Sequence, residues 1–396
     1  MQIRERSDPI AESGCLKNRS LAGRGTLKRT RISGAGMTRA STSLWHEQHI
    51  MRHRYALPLL LLALISWTTQ SPHADGLACL EPVSGVTWLR WDDTRARGVD
   101  DGNSHEQQTL DRWCQSVGAP VFAPAVERTG AISRLLVLSW NVHVGGGDTE
   151  ELIAEMLDRS SEEGTGLVVL LQEAFRAGAD VPESYPSDLR VPSSIRPRRP
   201  APDIVGIAQR FGLSVAYVPS MRNGPATTLE EREDRGNAVL STEPLSDVQA
   251  IELPFGKQRR VAVAAIVNPR STLAPIRVVA AHFDANGDRV MQAEALGDRI
   301  AAFTEMPLIV GGDFNARRGL RDRSVTTVSR HIPLESCGTH RTNRWPLRVD
   351  VPLFFVVGRL DFMFSTLAED VTRSCQTLSH AYDSDHLPLL LDVSLK

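Results

Sequence analysis

No apolar run in this chain is long enough to cross a bilayer as a helix. The apolar stretch at 56–66, A-L-P-L-L-L-L-A-L-I-S, has 11 residues, against the roughly 20 that a spanning helix needs. No internal repeat is visible, which excludes solenoid and propeller architectures. Cysteine is scarce, five in 396 residues. Net charge is almost absent as well, at −2, but this balance hides an asymmetry. Residues 1–74 carry 11 Lys+Arg and 4 Asp+Glu, and the remainder is acidic with a net charge of −9. Such a body has no general attraction for nucleic acid or an anionic membrane, so any polyanion binding must come from a local patch or a metal ion.

With 41% hydrophobic and 23% charged residues, the composition is that of a globular chain, with length for one large or two ordinary domains. Residues 1–50 are basic, rich in Ser, Gly and Arg, and without apolar period, so disorder is expected there. At Met51 the character changes. Met51-Arg52-His53-Arg54, the apolar stretch and a polar tail through Ala74 have the layout of a secretory signal peptide over 51–74. A signal starting at Met51 implies that translation begins there and that the product is secreted or periplasmic, with no stable membrane anchor; the alternative is an uncleaved anchor, which the short core disfavours. Cys79, Cys114, Cys337 and Cys375 would remain, an even number that suits an oxidising compartment. Of their three pairings, Cys79–Cys114 and Cys337–Cys375 are favoured because each closes a local loop. Residues 75–133, with Trp88, Trp91 and Trp113, read as an N-terminal extension stapled by the first disulfide and packed on the main domain.

From residue 134 onward strands and helices alternate. The organising stretch is L-I-V-G-G-D-F-N (308–315). It reads as a buried strand that its two glycines end abruptly, with Asp313 and Asn315 just beyond, where a carboxylate and an amide could orient a water and hold a phosphate oxygen. Strands are also expected at 135–142, 167–173, 213–218, 235–241, 258–267, 276–283 and 358–365, and before the C-terminus after Ser384-Asp385-His386. Helices are expected at 149–159, capped by Asp148, at 203–212 and at 288–300. The charged run 230–235 reads as a loop. Arg190, Arg196, Arg198 and Arg199 in a Pro-rich loop could supply a positive patch.

Polar residues accompany the apolar strands: Asn141, Glu173, His282 and Asp313 at strand ends, Asp361 within a strand, and Asp385 with His386 just ahead of another. A carboxylate there is costly unless paired, so Glu173 is a candidate ligand for a hard cation such as Mg²⁺. Its alternative is an ion pair with a nearby arginine such as Arg176. An Asp beside a His holds the imidazole in one tautomer and stabilises its charged form.

The motifs S-W-N-V-H, L-Q-E, R-G-N-A-V-L-S, A-A-H-F, G-G-D-F-N, L-D-F-M-F and S-D-H-L-P, in that order over 134–396, resemble the endonuclease/exonuclease/phosphatase (DNase I-like) superfamily of metal-dependent phosphoesterases. The resemblance implies an α/β fold, a four-layer α/β sandwich with two central mixed sheets flanked by helices. It implies Mg²⁺, with Mn²⁺ or Ca²⁺ as substitutes, on Asn141 and Glu173, with Asp385 as a further ligand. Asp313 would direct the water and Asn315 would hold that water or the phosphate. His282 and His386 would act as imidazoliums on the phosphate, with Asp361 orienting His386. His143 stands where some nucleases of the superfamily carry an acid, which weakens any claim of a second metal. The favoured substrate is nucleic acid, cut as a phosphodiester by a monomer. A sphingomyelinase-like lipid phosphodiesterase would need an exposed apolar loop, for which L-F-F-V (353–356) is the one nearby stretch. A phosphomonoesterase is a further alternative, and a non-catalytic binding module is disfavoured because every motif residue is kept.

Overall fold

Strand β3 (Arg134–Asn141) reads R-L-L-V-L-S-W-N and is buried almost throughout. Side chains alternate along a strand, so Leu135 and Val137 enter one core while Leu136, Leu138 and Trp140 enter another. A strand covered on both faces must be apolar at nearly every position, which is why this stretch shows no polar alternation. The computed structural model describes residues 85–90, 105–144, 146–161, 164–186, 189, 203–223, 232–270, 274–285, 288–303, 305–335, 337, 341–343, 358–368, 371 and 373–394. Residues 1–50, the expected signal at 51–74, Cys79 with its pairing to Cys114, Trp91, the arginines at 190–199 and L-F-F-V (353–356) lie outside the described residues.

Two sheets form the centre. The seven-stranded sheet runs β12 (Arg373–Thr377), β13 (Leu389–Ser394), β3, β4 (Thr165–Ala177), β6 (Glu233–Ser241), β5 (Ser214–Arg222) and β2 (Val121–Ala123). The six-stranded sheet runs β1 (Val86–Leu89), β7 (Leu245–Glu252), β8 (Val261–Val267), β9 (Ile276–His282), β10 (Leu308–Asp313) and β11 (Asp361–Ser365). Both are mixed: β3–β4, β9–β10 and β1–β7 pair parallel, and the other neighbours pair antiparallel.

One core, including Val137, Val168, Val263 and Val278, lies between the sheets. A second packs the seven-stranded sheet on α2 (Thr149–Arg159) and α3 (Ile204–Phe211), and a third packs the six-stranded sheet on α4 (Arg289–Ile300) and α5 (Arg323–Val328). The result is the four-layer α/β sandwich. Asp148 caps α2 by accepting from the Glu151 backbone N–H at 2.9 Å, and Asp203 caps α3 from Gly206 at 2.7 Å. Residues 75–133 contribute an edge strand to each sheet, β1 beside β7 and β2 beside β5, besides helix α1 (His105–Cys114). Cys337 and Cys375 form a disulfide that ties the segment after α5 to β12.

Several boundaries differ from the sequence reading. Glu233 to Arg235 are already in β6, since pairing with β4 and β5 outweighs their charge. Strand β8 starts at Val261 rather than residue 258. Gly311 and Gly312 do not end their strand; they lie inside β10. A Cβ on Gly312 would stand 1.9 Å from the Ala281 carbonyl oxygen, and one on Gly311 would stand 2.8 Å from Ser139 Cβ of the facing sheet. The pair therefore permits close packing of strand on strand and sheet on sheet, not a turn.

Candidate active site

Register places the first group of polar side chains. Asp313, the last residue of β10, pairs with His282 of β9 on one side and Asp361 of β11 on the other. Asn141 ends β3 in the other sheet. Glu173 sits in β4 where the register with β6 shifts between Leu171 and Ala174, with φ at 56°. This bulge re-aims the carboxylate out of the apolar ladder. Asn315 turns back with φ at 47°, its N–H donating to Asp313 Oδ1 at 2.8 Å and its amide to the Phe283 carbonyl at 2.8 Å. Asp385 and His386 are pinned to β3: the Ser384 hydroxyl donates to the Asn141 carbonyl at 2.7 Å, and Trp140 Nε1 donates to the His386 carbonyl at 3.1 Å.

These residues line one pocket of about 290 Å³, together with His143, Val144, Arg235, Gln258, Arg260, Ala285, Asn343 and Leu360. Asp361, the one expected site residue that does not line it, stands behind His386. Asp361 Oδ2 is 2.8 Å from His386 Nδ1, and His386 Nε2 is 3.8 Å from Asp313 Oδ2. Burial alone would depress the imidazole, but Asp361 and Asp313 overcome it and push His386 up to about 10. The ring is an imidazolium across the neutral range. Burial, partly offset by His386, pushes Asp313 up to about 7, and Asn141 Nδ2 donates to its Oδ2 at 3.0 Å. A carboxyl balanced near neutrality can take and return a proton.

His282 differs from the sequence reading. Arg260 lies 3.0 Å from its Nδ1. A guanidinium can only donate, so Nδ1 carries the lone pair and the proton sits on Nε2, which is 3.4 Å from Asp313 Oδ2; the Asn315 amide nitrogen, 3.3 Å from Nε2, has the Phe283 carbonyl and Asp313 Oδ2 as acceptors for its own protons. Burial, with Arg260 and Arg235 nearby, holds the ring well below the usual histidine range. His282 is thus a neutral donor and not an imidazolium. Nor does Arg176 pair with Glu173: its guanidinium goes to Asp180, the Ala119 carbonyl and Asp234. Among the described residues Glu173 has only long contacts, 3.9 Å to His282 Nε2 and 4.0 Å to Arg235.

The donor set suits a hard cation. Asp385 Oδ1 is buried and accepts no hydrogen bond among the described residues. Glu173 faces the same pocket without a close partner, and the Asn141 amide oxygen, which accepts from the His143 N–H at 3.0 Å, keeps a second lone pair. Asp313, Asp361 and His386 also offer ligand atoms within 4.8 Å of one another. That acidic cluster could bind a metal, but its imidazole holds both protons and has no lone pair to give. The Glu173 side of the pocket fits better.

The sequence profile of the Endonuclease/Exonuclease/phosphatase family matches residues 138–386. The chain belongs to this family. Its members include nucleases, phosphodiesterases and phosphatases, and they are typically dependent on a divalent metal. No curated protein matches the chain. Among solved structures, an endonuclease/exonuclease/phosphatase from Beutenbergia cavernae is 20% identical over 66% of this chain and 72% of its own, with a TM-score of 0.47. The human Nocturnin catalytic domain with bound sulfate is 16% identical over 69% and 97%, with a TM-score of 0.43. A humanized D. rerio TDP2 is 14% identical over 66% and 99%, with a TM-score of 0.42.

Sequence reasoning missed Arg235, Arg260 and Asn343 in this pocket. Arg260 had one available signal, the Arg-Arg pair just ahead of an apolar strand. Asn343 had none, for it reaches the site through an isolated bridge to His386.

Proposed function

We propose that the chain is an exported, divalent-cation-dependent phosphodiesterase of nuclease type. The observation that carries the reading is Asp313, pushed up to about 7 and held between Asn141, Asn315, His282 and His386 in a pocket that also presents Arg235 and Arg260. Asp313 takes a proton from a water held by Asn315. The water oxygen bonds to phosphorus as the opposite P–O bond breaks, and the leaving oxygen takes a proton from His386 Nε2. Asp361 keeps the other ring proton and the charge in place. His282 donates through Nε2–H to a phosphoryl oxygen. A Mg²⁺ ion held by Glu173, Asp385 and the Asn141 amide oxygen would offset negative charge on the phosphoryl group. Export is supported by the Cys337–Cys375 disulfide, which suits an oxidising compartment. Among the described residues no helix is long and apolar enough to cross a membrane.

The test is hydrolysis of bis-p-nitrophenyl phosphate and of p-nitrophenyl phosphate by the purified chain, with Mg²⁺ or Mn²⁺ and with EDTA. Cation-dependent cleavage of the diester that Asp313→Asn reduces by roughly 10²–10⁴ supports the reading. Full activity in that variant, or cleavage of the monoester alone, refutes it.

A further inference from the structure

The turn that leaves the catalytic strand is the most cationic exposed segment among the described residues. Residues 316–323 read A-R-R-G-L-R-D-R, and Arg317, Arg318, Arg321 and Arg323 are all exposed. Among the described residues none of the four guanidiniums has an ion-pair partner. The one acid in the segment, Asp322, is 1% exposed and committed elsewhere. It holds Arg289 at 3.1 Å, caps α5 through the Ser324 N–H and accepts from the Arg318 backbone at 3.3 Å. The turn is ordered by its own backbone, Arg317 N–H to the Asn315 carbonyl at 2.9 Å and Gly319 N–H to the Ala316 carbonyl at 2.7 Å. It therefore begins at Asn315, which lines the pocket, and carries its charge outward from there.

We propose that this arginine turn binds the sugar–phosphate backbone beside the scissile phosphate, so that the substrate is a nucleic acid strand rather than a single small phosphoester. The proposal rests on the phosphodiesterase reading of the pocket. Four unpaired guanidiniums in a body of net charge −9 over residues 75–396 supply the local patch that a polyanion requires. Arginine forks match phosphate oxygens bidentately. Nucleic acid presents one phosphate per ~3.4 Å of axis on each strand, so a turn of this length meets several. A lipid surface fits less well: Leu320, 53% exposed, is the turn's one exposed apolar side chain, and interfacial binding needs a broader apolar face.

The experiment compares the wild-type chain with R317S/R318S/R321S/R323S and with the pair R321S/R323S, after circular dichroism and melting show each folded. Fluorescence anisotropy in EDTA measures binding of labelled 20-nucleotide DNA and RNA strands across a salt series. Each lost phosphate contact should flatten the log K against log salt slope by about 0.7, so the quadruple variant flattens it by about 3 and the pair by about half of that. With divalent cation present, kcat/KM for whichever strand is cleaved should fall at least tenfold in the quadruple variant. Turnover of bis-p-nitrophenyl phosphate should change less than twofold. An unchanged salt slope, or equal loss on strand and small diester, overturns the proposal. So does arginine-dependent binding to phosphatidylserine vesicles without binding to either strand. If the wild type cleaves no phosphodiester, the phosphodiesterase reading fails, while the anisotropy arm still reports on the turn by itself.

Discussion

Arg260 decides what His282 can do. Both side chains are buried, and their contact is 3.0 Å from a guanidinium nitrogen to Nδ1. Because the arginine has protons to give and none to accept, the ring must keep its proton on Nε2, facing Asp313 and the pocket. His386 is the opposite case: a carboxylate stands behind its Nδ1, so that ring gathers a second proton. Two histidines on one pocket wall therefore have different charges, set by what lies behind them. Replacing Arg260 with methionine should release Nδ1 and let the ring sample its other tautomer and its charged form. Ring ¹⁵N shifts of His282 would report this directly, with Nδ1 unprotonated in the wild type and partly protonated in Arg260→Met. Turnover should fall roughly tenfold to a hundredfold, the scale of one charge-assisted hydrogen bond. A wild-type ring protonated on Nδ1 would refute the assignment. This contrast was not legible in the sequence. His282 and Asp313 were visible as polar endings of apolar strands, whereas Arg260 lies 22 residues before its partner and meets it only through the β8–β9 pairing.

At the scale of elements, the strands legible in the sequence were those buried on both faces. β3, β9 and β10 are apolar almost throughout, and each ends in a residue of the pocket. β7 was not expected because Ser246, Asp247 and Gln249 interrupt its apolar pattern, and β12, R-S-C-Q-T, has no apolar signal; pairing with β8 and with β13 holds them in place. The glycine pair in β10 was visible but misread, since a turn and a close approach use the same residue. The structure makes the difference measurable. Gly312→Ala would set its methyl 1.9 Å from the Ala281 carbonyl oxygen, which no rotamer change can relieve because both atoms are fixed by backbone. We expect a loss of roughly 3 kcal/mol or more in chemical denaturation, from overpacking with no room to shift. Had these glycines served a turn beyond the strand, the alanine would be tolerated in the fold and felt only at the site. A stability within about 0.5 kcal/mol of wild type, the usual range for a harmless surface change, would contradict the close-packing account.

Across the whole molecule, the site is assembled from two sheets with distinct contributions. Asn141, Glu173 and Asp385 come from β3, the β4 bulge and the segment leading to β13, all belonging to the seven-stranded sheet. His282, Asp313 and Asp361 come from neighbouring strands of the six-stranded sheet. The hydrogen bonds Asn141–Asp313 at 3.0 Å and His386–Asp361 at 2.8 Å cross between them. A cation held by Glu173, Asp385 and the Asn141 amide oxygen would draw its ligands from the seven-stranded sheet and would offset the charge of Asp313 on the six-stranded one, so its binding should stabilise the packing of both. Glu173, held at positive φ in a bulge and without a close partner among the described residues, carries a backbone cost that a bound cation would offset. Thermal unfolding tests this without any substrate. At a free Mg²⁺ concentration near one hundred times Kd, linkage gives about 2.7 kcal/mol. For a chain of this size that should raise Tm by several degrees, reversibly on adding EDTA. Glu173→Gln keeps the shape and hydrogen-bonding reach of the side chain but removes its charge. It should melt close to the metal-free wild type and lose most of the rise. If that variant gained as many degrees as the wild type, Glu173 would not hold the cation, and the cluster of Asp313, Asp361 and His386 would become the site to test.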